Sequence, residues 1–449
     1  MFAPMPVDYV GDVARRRGRL YGKCGRMDRW LRAVLRGSIR TGTLRVTAAS
    51  GATYTFGDGS GKLVAIQFTS KSWQTAVLLD PELRLGEAYM NGGLIAERGA
   101  IVDFLEIITK NFAQNRPSAL VRSLRALRSL SRWLFYENTL SRSRRNAAHH
   151  YNIDFRIYRL FLDSDLQYSC AYFEHKDMSL EEAQFAKQQH IAAKLLLEPG
   201  LTVLDIGCGW GGLDLFLART FKASVIGINL SDEQVRIAQQ RAAAERLSCE
   251  FRIQDYREIS ERFDRIVSVG MFEHVGRRHY DAFFRKCHDL LKDDGVMLLH
   301  TVGRWNGPFD TNAWVWRYIF PGGYSPALSE IAPAIERSGL IISDVEVLRI
   351  HYAETLRAWR SNLLANREEV VRLFEEDANL GTRFGDAERF IRMWEYYLAA
   401  FEASFRYYGL VVFQLQLVKN INNVPLTRDY IYADKDKGMA GLDIASAAE

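Results

Sequence analysis

One stretch near the middle of the chain has residue types that suit a nucleotide-like cofactor. In LTVLDIGCGWGG (201–212), an apolar segment ends in Asp205 and is followed by Gly207, Gly209 and a further pair of glycines. Glycines adopt positive φ at no steric cost and let the backbone approach a ligand closely. A helix that starts after such a turn directs free N–H groups and its positive dipole end at the same place. The spacing differs from the dinucleotide pattern G-x-G-x-x-G, and a tight turn without a ligand is the alternative.

Four further segments extend this pattern beyond a generic cofactor turn. They are QYSCAYFE (167–174), VGMFEHVG (269–276), LLHTVG (298–303) and HYAETLRAW (351–359). The glycine turn resembles the first motif of class I S-adenosylmethionine methyltransferases. All five segments together resemble the cyclopropane fatty acid synthase family, which includes the mycolic acid cyclopropane synthases. The resemblance runs from about residue 152 to 418 and includes RWNGPFDTNAWVWRYIFPGG (304–323), whereas the first 150 residues resemble, with fewer motifs, the appended domain of longer phospholipid-acting bacterial members.

The resemblance implies a defined reaction. Family members move a methyl group from S-adenosylmethionine to a cis double bond of an acyl chain, here expected in unsaturated phospholipids, and then close a cyclopropane ring. The intermediate carbocation must lose a proton to a base beside hydrocarbon, with water excluded because water would trap the cation. The family holds a bicarbonate ion for this purpose. The residues expected to hold that ion here are Glu273, His300, Tyr352 and the backbones of Cys170 and Val302.

The same resemblance implies the contacts with the methyl donor, and no metal is expected. Tyr168 and Ser169 are expected at the methionine end, Asp205, Gly207 and Gly209 at the first strand, Asn229 and Gln234 near the ribose, and Asp255 and Tyr256 beside the adenine. Many class I enzymes carry an acid where this chain has Asn229, which leaves the ribose contacts open. Aromatic and apolar side chains are candidates for an acyl channel, with ordinary core packing as the alternative: Trp305, Trp314, Trp316, Tyr318, Phe320, Met271 and Phe272.

Several alternatives stay open at this point. For Glu273, the alternative is a cap for a helix that begins near Arg277. For His300 it is an ordinary core histidine, and for Asp255 or Tyr256 it is an ordinary turn residue. A nucleophilic cysteine is disfavoured, because the matching position in the C-terminal helix is Phe401. At the level of function, one alternative is a related fatty-acyl methyltransferase that gives methyl- or methylene-branched chains without ring closure. A small-molecule methyltransferase and a non-enzymatic lipid-binding protein are the others.

The elements that position these residues are predicted from hydrophobic periodicity. Beyond residue 185, strands and helices alternate, which predicts an α/β fold of the class I methyltransferase (Rossmann-like) type, with a mostly parallel seven-stranded sheet and an N-terminal α+β domain. The ligand is expected beyond the carboxyl ends of the first and fourth strands. The strands are predicted at 201–207, 224–230, 249–255, 263–270, 295–302, 340–349 and 409–419. Before them, we expect antiparallel strands over 41–75 with a turn at 58–61, helix over 79–114, and a basic amphipathic helix over 118–138.

The length of the chain and the distribution of its charge indicate its domains and its partner. A chain of 449 residues predicts two domains. With the resemblance and the arginine clusters, we expect a basic lipid- or membrane-associated domain over 1–145, a catalytic domain over 146–434 and a flexible tail over 435–449. The net charge of +5 is concentrated in arginines of the first 45 residues and of 116–145. This asymmetry indicates a polyanionic partner, with a solvated surface that has no partner as the alternative. The resemblance favours an anionic membrane surface over nucleic acid. The absence of a spanning segment or secretory signal, together with five unpatterned cysteines, predicts a cytoplasmic protein on the inner membrane face, and the long family members imply a homodimer.

Overall fold

The computed structural model describes residues 25–114, 119–135 and 153–433. Its contacts divide the chain into two compact units, Met1–Arg122 and Ser123–Glu449. The expected boundary at residue 145 and the expected tail lie outside the described residues, so both remain predictions. No helix within the described ranges is both long and apolar enough to cross a bilayer.

The first unit contains a four-stranded sheet with helices. Its strand order is β2-β1-β3-β4, in which β1 pairs antiparallel with β2 and parallel with β3. The expectation of purely antiparallel strands is therefore wrong, because the turn at 58–61 joins two strands that pair with opposite sides of β1. The helical prediction over 79–114 is also interrupted, by β4. The elements are α1 (Arg26–Ser38), β1 (Thr43–Thr47), β2 (Thr53–Phe56), β3 (Leu63–Phe68), α2 (Lys71–Leu79), α3 (Pro81–Met90), β4 (Leu94–Arg98) and α4 (Ile101–Gln114), followed by α5 (Ala119–Phe135), which crosses the division between the units.

The second unit is built on a seven-stranded sheet. The strand order is β10-β11-β9-β8-β5-β6-β7, and all pairs are parallel except those that β11 makes with β9 and β10. All seven predicted strands are present, and the predicted class I methyltransferase fold is confirmed. The strands are β5 (Thr202–Ile206), β6 (Ser224–Asn229), β7 (Cys249–Ile253), β8 (Phe263–Val269), β9 (Leu291–Arg304), β10 (Ile341–Leu348) and β11 (Leu410–Val418).

Helices cover both faces of this sheet. Successive residues of a strand point to opposite faces, and accordingly Val203 and Leu204 of β5 enter two different apolar clusters. The helices are α6 (Phe155–Arg159), α7 (Leu180–Lys194), α8 (Gly212–Phe221), α9 (Asp232–Glu245), α10 (Tyr280–Leu290), α11 (Ala313–Tyr318), α12 (Leu328–Ser338), α13 (His351–Ala365), α14 (Arg367–Glu376), α15 (Ala378–Phe384), α16 (Ala387–Tyr407) and α17 (Tyr430–Ala433).

Helix α7 carries an unusual number of buried polar side chains. It begins with a capping box, in which the Ser179 side chain accepts from the Glu182 N–H and the Glu182 carboxylate accepts from the Ser179 N–H. Buried polar groups require hydrogen-bond partners, so this helix must meet polar groups of the sheet and of the preceding loop. Its buried polar residues are Gln184, Lys187, Gln188, His190 and Lys194.

Candidate active site

A cavity opens where the parallel strands β5, β6 and β8 end. It lies at their carboxyl ends, as predicted for the ligand of an open α/β sheet. All nine residues expected to contact the methyl donor line this cavity. They are Tyr168, Ser169, Asp205, Gly207, Gly209, Asn229, Gln234, Asp255 and Tyr256. We call this space the cofactor cavity.

The glycine turn after β5 fits closely against the cavity wall. Gly207 has φ +99°, and a Cβ at this position would lie 2.7 Å from the Cβ of Met271. Gly211, the residue before α8, has φ +80°, and its Cβ would lie 2.7 Å from the ring of Phe251. Side chains are excluded at both positions by conformation and by space. At Gly207, which lines the cofactor cavity, backbone therefore takes the place of a side chain.

Asp205 supplies a buried acid at the base of the cofactor cavity. Burial raises the pKa of its carboxyl to about 7, and the neighbouring Asp214 has a pKa raised well above its ordinary value, mainly by burial. The two buried carboxyl groups are hydrogen-bonded to each other, which requires a shared proton, and this bond lowers the pKa of Asp205 and raises that of Asp214.

Some hydrogen-bonding groups of the residues expected at the ribose and adenine already bond to other groups of the protein. The Oδ1 atom of Asn229 accepts from the backbone of Leu230 at 2.7 Å, while its Nδ2 donates to Oε1 of Gln234 at 2.9 Å. The Asp255 carboxylate caps the 3₁₀ helix Tyr256–Glu258 and accepts two hydrogen bonds from the Arg257 guanidinium, each 2.7 Å long. Asp255 is thus a turn residue that also lines the cavity.

Buried polar groups of α7 hold the loop that carries Tyr168 and Ser169. Lys187 Nζ donates to Gln167 Oε1 at 2.6 Å and to Ser169 Oγ at 2.8 Å. Gln184 Nε2 donates to the carbonyl oxygens of Gln167 and Ser169, at 3.1 and 3.0 Å. Neither Gln184 nor Lys187 was a candidate from the sequence, because both lie in an ordinary-looking polar helix.

A second cavity adjoins the first. Tyr168, Ser169, Gly270 and His274 line both. All five residues expected to hold the base line this second space, which we call the acyl cavity: Cys170, Glu273, His300, Val302 and Tyr352. Residues from a loop, a 3₁₀ helix, a central strand and α13 are thereby brought to one place.

Glu273 is a buried carboxyl with one satisfied oxygen. It lies in the 3₁₀ helix Phe272–His274, and its Oε1 accepts from the backbone N–H of Val302 at 2.5 Å. Its Oε2 is buried without a hydrogen-bond partner among the described residues, and burial raises the pKa of this carboxyl to about 7. The carboxylate does not cap a helix at Arg277. The Val302 N–H, which was expected to reach an anion directly, donates to Glu273 instead.

His300 and Tyr352 complete this group. His300 is buried, and burial followed by the charges of Lys187 and Lys194 holds its pKa well below the ordinary value, so the ring is neutral at pH 7. The Tyr352 ring packs against Phe405, with centroids 4.9 Å apart. Cys170 is also buried, which raises the pKa of its thiol and disfavours a thiolate nucleophile.

The apolar wall of the acyl cavity differs from the one expected. Phe320 lines it, together with Tyr397 and Phe401 of α16. Met271 lines the cofactor cavity instead, Phe272 is buried in the core, Trp314 packs on Tyr396, and Trp305 is 69% exposed. Trp316 and Tyr318 are not among the lining residues of either cavity. The i, i+4 spacing of Tyr397 and Phe401 places them on one helix face, but the sequence does not distinguish this face from core packing.

Comparisons with known proteins identify the family of this chain. Residues 138–415 match the family model of mycolic acid cyclopropane synthetase. The cyclopropane-fatty-acyl-phospholipid synthase of Escherichia coli is 36% identical over 347 residues, which cover 77% of this chain and 86% of that protein. The chain belongs to the mycolic acid cyclopropane synthetase family. Cyclopropane mycolic acid synthase 1 of Mycobacterium tuberculosis is 38% identical over 248 residues, 52% of this chain and 86% of that protein.

Solved structures of family members have the same architecture. The cyclopropane synthase MmaA2 from Mycobacterium tuberculosis has a TM-score of 0.55 and 30% identity, and the match covers 61% of this chain and 97% of that one. The cyclopropane synthase CmaA1, solved with SAH and CTAB, has a TM-score of 0.55 and 34% identity over 61% of this chain and 97% of that one. This cyclopropane synthase family member is therefore an enzyme with the fold of S-adenosylmethionine-dependent methyltransferases.

Proposed function

We propose that this family member converts cis double bonds in the acyl chains of membrane phospholipids into cyclopropane rings. The observation that carries the proposal is the junction of a cofactor cavity and an acyl cavity at Tyr168, Ser169, Gly270 and His274, beside Glu273. S-adenosylmethionine, when bound, supplies an electrophilic methyl group. The lining glycines Gly207 and Gly209, which let the backbone approach closely, fit such a ligand.

The reaction balances without any further redox partner. The π pair of the alkene forms a bond to the methyl carbon, and the sulfur–methyl bond breaks with its electrons left on sulfur. The resulting carbocation loses a proton from the new methyl group, and the electron pair of that C–H bond closes the ring. The aromatic rings of Phe320, Tyr397 and Phe401 line the acyl cavity. The quadrupoles of such rings stabilise the transient carbocation, and their apolar surface excludes water from it.

Bicarbonate is the base that we propose for this deprotonation, and the residues present fit it. The free edge of neutral His300 and the hydroxyl of Tyr352 would hold the ion, while Glu273 would accept the proton of its hydroxyl group. The unpartnered Oε2 of Glu273 is the observation that supports such an acceptor role. An anion next to an ionised Glu273 requires this shared proton, since two bare negative charges would repel each other.

The decisive variant is Glu273→Gln. We expect turnover to fall by at least about 100-fold, as it does when a group that takes part in proton transfer is lost. Binding of S-adenosylmethionine should stay measurable. Purified enzyme would be incubated with labelled S-adenosylmethionine and vesicles of cis-unsaturated phospholipid, with the exposed Glu336→Gln as the matched control. Full activity of Glu273→Gln would refute the assignment.

The product and the base are tested in the same assay. NMR or chemical degradation of the lipid separates a ring from a methyl-branched alkene, which has the same mass, so a branched product would establish the alternative acyl methyltransferase. Turnover in bicarbonate-depleted buffer should fall and return when bicarbonate is added. A rate that does not respond to bicarbonate would remove this ion from the mechanism.

The cellular setting is part of the same proposal. We place the enzyme at the cytoplasmic surface of an anionic membrane, as a homodimer like the long members that it resembles. Arg26, Arg29 and Arg36 of α1 are exposed and supply positive charge for such a surface. Analytical ultracentrifugation of the full chain measures the oligomeric state, and a monomer at assay concentration would exclude the dimer.

A further inference from the structure

A row of polar side chains crosses the sheet and ends at His300. Gln414 of β11 lies directly opposite His300 of β9 in the strand register, and Glu346 of β10 lies opposite Gln414 on the other side. Side chains opposite each other on paired strands lie on the same face and interact. Lys194 of α7 contacts this row, where its ammonium group bonds to both Glu346 and Gln414.

The directions of these hydrogen bonds are fixed by chemistry. A lysine ammonium group has three donors and no acceptor, so the amide atom of Gln414 that faces Lys194 Nζ at 2.9 Å is the oxygen. The amide nitrogen of Gln414 then faces His300 Nδ1 at 3.1 Å, and an amide nitrogen only donates. Nδ1 of His300 is therefore an acceptor and carries no proton.

We propose that Gln414, oriented by Lys194, is a positioning residue that fixes His300 in the tautomer with its proton on Nε2. The Nε2 atom makes no hydrogen bond to any described residue, and His300 lines the acyl cavity. A neutral histidine in this tautomer presents an N–H donor to that cavity, whereas the other tautomer would present a lone pair. Only the donor suits an anion.

The row is anchored on its outer side. The Glu346 carboxylate also contacts Nε2 of His190 at 2.6 Å, and its pKa is about 2, because hydrogen bonds from His190 and the charge of Lys194 outweigh the effect of burial. Burial lowers the pKa of Lys194, and the charge of the ionised Glu346 acts against this effect, so that Lys194 remains a donor to Gln414. The function of this row in catalysis rests on the bicarbonate site proposed above, but the tautomer itself does not.

The tautomer can be measured directly on the full-length enzyme without ligands. In protein labelled with ¹⁵N-histidine, long-range ¹H–¹⁵N spectra distinguish a protonated from an unprotonated ring nitrogen, and the signals that vanish in His300→Asn are assigned to His300. We expect a protonated Nε2 and an unprotonated Nδ1. The reverse pattern, or an even mixture, would overturn the proposal.

Gln416 offers a matched control on the same strand face. It is equally buried, but its amide donates to the Lys194 carbonyl at 2.6 Å and its oxygen accepts from Ser343, at 2.9 Å, and from Tyr430. We expect Gln414→Leu to mix the two tautomers and to lower kcat about tenfold with unchanged S-adenosylmethionine affinity. Gln416→Leu should leave the His300 signals unchanged and kcat within about twofold.

The possible failures are separable. Gln414→Leu with unchanged His300 signals and unchanged kcat would refute the positioning role. A wild-type enzyme that shows the expected tautomer but no response to bicarbonate would retain the Gln414 assignment and reject only the proposed base. Equal effects of Gln414→Leu and Gln416→Leu on both readouts would reduce Gln414 to a packing residue.

Discussion

At the scale of single residues, the acyl cavity contains a carboxyl that the fold keeps partly uncharged. Burial raises the pKa of Glu273, and hydrogen bonds from the backbone N–H groups of Glu273 and Val302 and from the Thr301 side chain do not compensate for its removal from water. The protonated form is favoured in the folded state, and ionisation costs stability. This cost is consistent with a site that is shaped for catalysis, because an amide at the same position would satisfy the Val302 N–H without a charge.

This predicts a pH-dependent stabilisation by Glu273→Gln. The folded pKa of about 7 exceeds the unfolded value of 4.5, so the folded state of the wild type holds more protons, and its stability falls as pH rises from about 4.5 to beyond 7. The variant lacks this loss and should gain about 3 kcal/mol relative to wild type between pH 4 and pH 8. Urea unfolding of the ligand-free proteins in bicarbonate-free buffer measures the difference. An effect that does not change with pH would contradict the assigned pKa.

At the scale of elements, the first strand of the catalytic sheet lies between two glycines of different importance. Gly200 precedes β5 and Gly207 follows it, and both have left-handed φ, at +87° and +99°. A Cβ at Gly200 would meet open space, whereas one at Gly207 would meet the Cβ of Met271 at 2.7 Å. A Cβ cannot rotate away, so the wall of the cofactor cavity would have to move.

The pair Gly207→Ala and Gly200→Ala tests this difference. Both changes carry the left-handed backbone cost of about 1–2 kcal/mol, and Gly207→Ala adds about 1–3 kcal/mol of steric overlap. We also expect S-adenosylmethionine affinity to fall at least about tenfold for Gly207→Ala only. Thermal unfolding and calorimetric titration provide both numbers. Equal losses in the two variants would show that backbone conformation alone requires glycine at 207.

At the scale of the whole molecule, positive charge is concentrated in the N-terminal part of the chain. Within the described residues, α1 exposes several arginines, and α5 combines an exposed Arg122 with Leu127, which is 65% exposed. Basic side chains near an anionic leaflet contribute about 1 kcal/mol each, and salt screens this attraction. Such an attachment would bring the enzyme to its proposed substrate, an acyl chain in a bilayer.

The expected outcome is salt-sensitive binding to vesicles that contain anionic phospholipid. Arg29→Glu combined with Arg36→Glu should weaken this binding at least about tenfold at low salt. Arg246→Glu combined with Arg285→Glu, which changes the net charge equally within the second unit, should have a smaller effect. Vesicle co-sedimentation at two salt concentrations measures both. Binding that ignores salt, or equal effects of the two pairs, would contradict attachment through α1.

Local sequence properties determine the fold of the second unit and the glycine turn of its candidate site. The seven strands follow from apolar runs, and the glycines after Asp205 are dictated by backbone conformation, so both can be read without long-range information. The segments around Tyr168, Glu273, His300 and Tyr352 were found by family resemblance. In the folded chain these residues line the two adjoining cavities, as expected.

Only the tertiary structure decided which atoms meet. The pairing of Gln414 with His300 joins residues 114 positions apart through a strand register that no local pattern contains. The Val302 N–H donates to Glu273, and β1 pairs in parallel with β3. Both contacts depend on which groups lie nearest to each other after the chain has packed. Hydrogen bonds and apolar contacts between residues that are distant in the sequence depend on three-dimensional proximity. Turns and hydrophobic periodicity, in contrast, depend on residues that are close together in the sequence.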